Sequence, residues 1–369
     1  MSAISFTDPG SPESPGIALA KWQGFGMLRP AEPSASSVPV HELVEGSDST
    51  WHYRLPWRKP HSIVPALGCH FLTDIALWQP GVATHQGHFI NDNSISAHVA
   101  LTYIEGKTAT FTNPSLPRRD IDRPALLIGG PGYLIWGHWL VEFLPTVAIA
   151  RETLGPTFDD CVIPLPQDTP DWVVELLAHT CGVKPESIIR YHPHSEYLHL
   201  AKAVRPTFSF AGEYTFHSFT RTFYEGLRVK TNGPRKRLCV SRGNAPYADA
   251  RPFPKRSKFE AFARERGFDI VHPETLSLPD QIALFGRAEM VIGEYGSGMH
   301  STVFCNTDTI VGCVGRWNAA QMRLGELFHH QGVYLTRGCS PPGESRALRL
   351  DVTEDDLASF VNRVVSLCR

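Results

Sequence analysis

The chain has 369 residues, enough for two domains at ~150 residues each, and 42% hydrophobic against 20% charged content provides a sizeable core and excludes global disorder. With 35 Lys and Arg against 37 Asp and Glu, the formal charge is −2; this argues against nucleic-acid binding but leaves room for a local pocket that takes a small anion. The 8 cysteines form no C-x-x-C pair, so a zinc ribbon, redox dithiol or disulfide scaffold is not expected, and the usage points to a reducing, cytoplasmic compartment.

Residues 1–35 are rich in Pro, Ser and Gly, with no basic residue before Lys21 and no continuous apolar run. They read as a loosely held arm rather than a secretory signal. Residues 41–120 carry short apolar runs broken by Pro, Gly, His and Asn, which we read as strands and loops. From Ala125 the pattern becomes regular: a strand at Ala125–Ile128, a helix at Trp136–Leu154 stopped by Gly155-Pro156, and a strand at Cys161–Leu165. Thr169-Pro170 then opens a helix at Asp171–Cys181, closed by Gly182, and a strand follows at Ile188–Tyr191. The stretch 125–150 is almost free of charge, yet its Gly129-Gly130-Pro131-Gly132 cluster and Glu142 argue against a membrane-spanning helix.

Thr231-Asn232-Gly233-Pro234 is a turn-rich break. Beyond it come a strand at Arg237–Ser241, a helix to Arg266 opened by Ser257-Lys258-Phe259-Glu260 as a capping box, and a strand at Phe268–His272. A helix opening at Ser277-Leu278-Pro279-Asp280, a strand at Met290–Ile292, a short helix at Met299–Asn306 and a strand at Thr309–Val314 follow. The pattern repeats with a helix at Arg316–His330 and a strand at Val333–Thr336, and closes on a helix at Thr353–Leu367 with Leu357, Phe360, Val361 and Val364 on one face. Such alternation predicts an α/β fold of two Rossmann-like lobes facing a cleft: an arm (1–35), an N-terminal lobe (36–230) and a C-terminal lobe (231–369).

Three segments could carry chemistry. In Val291-Ile292-Gly293-Glu294-Tyr295-Gly296-Ser297-Gly298-Met299-His300, an apolar strand runs through glycines into a helix start, whose N–H groups suit a phosphate or diphosphate; an unliganded tight turn fits the same residues equally well. The pattern is not G-x-G-x-x-G, which disfavours a nicotinamide enzyme. Ser241-Arg242 ends a strand at the same sheet edge, so Arg242 could pair with that anion, or simply solvate the strand end. His138 and Glu142 lie four apart on one helix face, suited to general-base work or to a buried structural pair. Asp120-Ile121-Asp122 sits among Arg118, Arg119 and Arg123 and reads as a solvated charge cluster, while His192-Pro193-His194 and His329-His330 lack further metal ligands. No G-x-S-x-G elbow, Walker loop or kinase motif is present.

Together the three segments resemble glycosyltransferase family 61, whose bacterial members are often described as capsular polysaccharide biosynthesis proteins. His138, Trp139, Glu142 and Pro145 match a His-Trp-x-x-Glu-x-x-Pro segment; Ser241-Arg242, with Ala245, match a Ser-Arg strand end. Leu276, Ser277 and Gln281 match a Leu-Ser-x-x-x-Gln helix, and Gly293, Gly296 and Gly298 match a Gly-x-His-Gly-Ala-Gly loop followed by Phe304. Tyr295 stands in place of the loop His, Ser297 in place of Ala, and His300-Ser301 in place of Thr-Asn; Tyr247, Asp249 and Arg251 occupy the neighbourhood of a displaced Arg-rich segment.

The resemblance implies a GT-B fold and an inverting, metal-independent transfer from a nucleotide-sugar, with no cofactor, to a glycan or lipid-linked saccharide of a surface polysaccharide. It implies His138 and Glu142 as base or acceptor-positioning groups, with Arg242, Ser241, Tyr295, Gly296, Ser297, Gly298 and His300 around the diphosphate. Glu274 and Gln281 would contact the nucleoside or brace the loop. A non-catalytic nucleotide- or glycan-binding protein of the same fold is the alternative, motivated by the altered loop. Oligomeric state is open and compatible with a homodimer, and a cytoplasmic protein could still dock at the inner face of a membrane.

Overall fold

A computed structural model of the chain describes residues 6–7, 24–34, 41–43, 63–86, 88–90, 115–211, 214–228, 233–243, 253–315, 319–335 and 352–368. The arm expected over 1–35 lies largely outside them, as do Thr231 and Asn232 of the expected break. Packing divides the chain into two units, Met1–Pro33 with Ile63–Gly212, and Ser34–Ser62 with Glu213–Arg369.

The main sheet of the first unit is mixed. Its strands are a two-residue strand at Phe6–Thr7 and β1 (Gly24–Arg29), β2 (Leu67–Gln79), β3 (Val82–His85), β4 (His88–Ile90), β5 (Arg118–Ile121), β6 (Ala125–Leu126) and β9 (Tyr197–Pro206). The long β2 pairs antiparallel with β1, β3 and β9, and β3 pairs antiparallel with β4. The expectation of a Rossmann-like sheet therefore fails for residues 63–90. Strands joined by turns of two residues leave no room for a crossover helix and must run antiparallel. Gly81, at φ 76, makes the β2–β3 turn.

From residue 125 the expected βαβ rhythm is present. β6 runs parallel to β9 and, through a bridge from Ala125 to Val162, adjoins β7 (Ile163–Pro166), which runs parallel to β8 (Ile188–Tyr191). Between β6 and β7 the chain is helical from residue 136 to 154 in three pieces: Trp136–His138, a π turn at Trp139–Phe143, and α1 (Leu144–Leu154). Pro145 accounts for the widened turn. It lacks an N–H, and its ring would clash with the Val141 carbonyl in a regular helix, so Leu144 N–H bonds back to Trp139 O instead. Residues 139–150 of this segment are all buried. α2 (Asp171–Cys181) ends at Gly182 in the left-handed conformation, as expected, but Pro170 occupies its N-cap, and Thr169 makes no capping contact.

The second unit contains a six-stranded, wholly parallel sheet in the order β11, β10, β12, β13, β14 and then a short strand at His41–Leu43. These strands are β10 (Lys236–Val240), β11 (Asp269–Val271), β12 (Ala288–Glu294), β13 (Ile310–Val314) and β14 (Gln331–Leu335). The helices are α3 (Ser218–Leu227), α4 (Arg256–Glu265), α5 (Leu278–Phe285), α6 (Ala319–Phe328) and α7 (Glu354–Ser366). α7 has a full capping box between Thr353 and Asp356 and buries Leu357, Phe360, Val361 and Val364. Gly312 on β13 lets it approach: a Cβ there would lie 2.8 Å from Phe360 Cζ and 3.0 Å from Val364 Cγ2. Two local expectations are corrected. Lys255 occupies the N-cap of α4 without a side-chain bond, so Ser257 does not cap it, and Ser297–Phe304 is a 3-10 segment rather than an α-helix. Among the described residues no helix is long and apolar enough to cross a membrane.

His330, ahead of β14, is 1% exposed. Burial, reinforced by the charge of Arg228, pulls its pKa down to about 3. The imidazole is neutral in the folded state but protonates near 6.5 when unfolded, so stability is fully present above pH 6.5 and is lost as the pH falls toward 3. The loss should follow a slope of about one proton, roughly 1.4 kcal/mol per pH unit. Urea unfolding from pH 7 to 4 should show a shallower acid slope for His330→Gln than for the parent chain; equal slopes would refute the assignment.

Candidate functional site

In the second unit, β10 lies between β11 and β12, so the strand order is 2-1-3-4-5 and reverses between β10 and β12. Ligands of open α/β sheets bind beyond the carboxyl ends of the strands at such a switch point. Val240 pairs with Gly293, so the residues that follow, Ser241-Arg242 on one strand and Glu294-Tyr295-Gly296 on the other, emerge side by side.

Arg242 Nη1 donates to the Tyr295 carbonyl oxygen at 3.2 Å. A Cβ on Gly296 would overlap the Arg242 guanidinium, so the glycine gives the arginine its place over the loop. Gly293 serves similarly, since a Cβ there would lie 2.5 Å from Met299 Sδ. Met299 N–H donates to Gly296 O at 3.0 Å as the chain enters its 3-10 segment. The N–H groups of Ser297 and Gly298 stand at its start, where a helix has no acceptor of its own. His300 lies half-buried in the same turn. Tyr295 donates its N–H to Val314 O at 2.9 Å and packs against Cys313, Met322 and Tyr334.

Two carboxylates support this edge. Ser241 Oγ donates to Glu260 Oε1 at 2.7 Å and accepts from Gly243 N–H at 3.1 Å, which explains why Glu260 is absent from the α4 cap. Glu294, 4% exposed, is held by Arg256 through Nε at 2.6 Å and Nη2 at 3.2 Å. Sequence reasoning missed Arg256, because nothing in its neighbourhood marks it as the partner of a residue 38 positions away. Glu274 follows β11, one strand further along, with its carboxylate 3.8 Å from His272 Nδ1. Gln281 Nε2 donates to Leu276 O at 3.3 Å, just ahead of its own helix. Ala245, Tyr247, Asp249 and Arg251 lie outside the described residues.

In the first unit, the loop after β6 carries the second candidate. His138 Nδ1 lies 2.8 Å from Glu142 Oε1 across the π turn. The Glu142 side chain is 8% exposed and that of His138 35%, so the imidazole is the accessible member of the pair. Gly132 makes room for it, since a Cβ there would overlap the ring. Trp139 Nε1 donates to Tyr133 O at 2.7 Å, and Tyr133 Oη donates to Asp168, which follows β7, at 2.9 Å. Burial lowers the His138 pKa, but the hydrogen bond and charge of Glu142 outweigh it and hold the pKa above its usual 6.5. Asp120, by contrast, is tied to Arg118 Nε at 2.9 Å and His199 Nδ1 at 2.8 Å.

Glu142→Gln should therefore lower the His138 pKa, because the carboxylate charge is removed and burial is retained. NMR titration of the ring protons reads this directly, and an unchanged midpoint would show that the pair does not interact.

Residues 136–312 match the family model described as Glycosyltransferase 61. Among solved structures, the chain is similar to the dodecameric iron-containing heptosyltransferase TibC in complex with ADP-D-beta-D-heptose at 13% identity, over 67% of this chain and 77% of that one, with a TM-score of 0.31. The dodecameric TibC from enterotoxigenic E. coli H10407 gives 13% identity, 67% and 76% coverage and a TM-score of 0.32. The metal-soaked Flv1 flavodiiron core from Synechocystis sp. PCC6803 gives 9%, 46%, 44% and 0.22. Scores of this size carry no argument about the fold, which rests on the strand orders above. No curated protein matches the sequence. The family match spans the His138–Glu142 helix and the whole β10–β12 switch point, so residues 136–312 are similar to glycosyltransferase family 61, and that similarity supports a transferase.

Proposed function

We propose that the chain is an inverting, metal-independent glycosyltransferase that moves a sugar from a nucleotide-sugar to a glycan or lipid-linked saccharide in surface polysaccharide biosynthesis, on the cytoplasmic side. The reading assigns the donor to the second unit and the acceptor to the first, the division of labour of a GT-B enzyme. The observation that carries it is Arg242 lying over Gly296 at the switch point, beside the N–H groups of Ser297 and Gly298. A guanidinium and oriented amides at one point are suited to a leaving diphosphate.

In the proposed reaction the acceptor hydroxyl oxygen attacks the anomeric carbon as the bond from that carbon to the diphosphate oxygen breaks. The electron pair leaves with the nucleoside diphosphate, where Arg242 and the loop amides meet the developing charge. The hydroxyl proton passes to His138. A bond from Nδ1–H to Glu142 leaves Nε2 as the acceptor, so Glu142 fixes the ring and stabilises the imidazolium. Displacement from the face opposite the leaving group inverts the anomeric configuration.

Thermal-shift measurements with UDP, GDP, dTDP, CDP and NAD test the donor side. At least one nucleoside diphosphate should stabilise the chain and NAD should not; Arg242→Ala should abolish the shift. His138→Ala should keep the shift but lower sugar transfer by about 10²–10⁴-fold. Stabilisation by no nucleoside diphosphate would refute the transferase reading, and binding without any transfer would favour the non-catalytic alternative.

A further inference from the structure

The loop that leads into the His138 helix is rigid and apolar at once. Tyr133 N–H donates to Gly130 O at 3.0 Å and Ile135 N–H to Gly132 O at 2.8 Å, while Tyr133 is held at its carbonyl by Trp139 and at its hydroxyl by Asp168. Even so, it presents Leu134 at 47% and Ile135 at 43% exposure, two of the few large hydrophobic side chains so exposed among the described residues. Trp136, next in the chain, is half-buried and meets half-buried Trp172 of α2 edge to face, with ring centroids 5.3 Å apart at 69°. Exposed apolar side chains next to an aromatic pair, on a segment tied down by hydrogen bonds, are suited to a binding surface.

We propose that this ledge, Tyr133 to Trp136 with Trp172 and Asp168, is a saccharide-stacking subsite that positions the acceptor for His138. The assignment rests on the transferase reading. A pyranose ring has an apolar C–H face and a rim of hydroxyl groups. The two indoles and the aliphatic pair match the face. Asp168 matches the rim: its exposed carboxylate accepts the single Tyr133 hydroxyl proton, shared between oxygens at 3.0 and 2.9 Å, and still has lone pairs to accept from sugar hydroxyls. An anionic lipid surface is the poorer fit. It would call for Lys or Arg, and residues 129–138 contain neither, while Arg190 of β8 is bound to the carbonyl oxygens of Pro166 and Thr169 at 3.1 and 2.8 Å. Continuity with the reacting group is direct: Trp136 precedes His138 by two residues, and the His138 ring lies against Gly132 of the same loop.

Saturation-transfer NMR on the full chain, with a pool of methyl pyranosides of glucose, galactose, mannose, xylose and N-acetylglucosamine, tests the subsite. At least one glycoside should bind through its C–H face. Trp172→Ala and Trp136→Ala should each weaken it at least tenfold, and Trp172→Phe, which keeps a flat ring, should stay within about threefold of the parent. All variants should keep the thermal shift given by the nucleoside diphosphates. Glycoside binding unaltered in both alanine variants would overturn the proposal, as would no binding to the parent chain. Binding to phosphatidylcholine–phosphatidylglycerol vesicles that Leu134→Ser and Ile135→Ser remove, without glycoside binding, would also overturn it in favour of a lipid surface. Glycoside binding through the ledge with no nucleotide shift in the parent would sustain the subsite while removing the transferase reading.

Discussion

Val240 and Gly293 are paired in parallel strands, and the candidate site of the second unit depends on that register. It brings two chain segments out of the sheet at adjacent points, so Arg242 can cross from one to the carbonyl of Tyr295 on the other. A side chain at position 296 would take the arginine's space, which is why the loop needs a glycine there although its backbone, at φ 163, is extended. The same edge buries Glu294, and a carboxylate so placed is tolerable only with a partner. Arg256 supplies one from the first residue of α4, and Glu260 from the same helix holds Ser241. The position of α4 thus determines how the ends of β10 and β12 are supported.

A backbone device of a different kind shapes the first unit's site. Pro145 cannot complete a regular helical turn, and the chain widens at Trp139–Phe143. His138 immediately precedes the widened stretch and Glu142 lies within it, with the carboxylate buried and the imidazole accessible. Burial alone would disfavour the charged imidazolium. The carboxylate reverses that balance, giving a proton acceptor whose pKa lies above that of a free imidazole.

The elements that were legible in the sequence share one property: their information is local. The helices at 136–154 and 171–181, the strand at 188–191 and the apolar face of α7 follow from periodicity and from Gly and Pro punctuation. The antiparallel meander at 63–90 was not legible as such, because its pairing joins residues that no periodicity connects. The addition of His41–Leu43 to the far edge of the second sheet is nonlocal in the same way. The α4 cap differs from its local signal for a related reason: Ser257 and Glu260 have the spacing of a capping box, but Glu260 is drawn to Ser241, 19 residues earlier. At the candidate sites, the motifs located His138, Glu142, Arg242 and the glycine loop. The support from Arg256 and Asp168 could be read only from the fold.

On the proposed function, the β10–β12 switch point holds the diphosphate of a nucleotide-sugar. A crystal structure of the chain with a bound nucleoside diphosphate tests it most directly. Phosphate oxygens are expected within hydrogen-bonding distance of the Arg242 guanidinium and of the Ser297 and Gly298 N–H groups. A nucleotide bound with its phosphates away from Arg242, or held on the first unit, would contradict it.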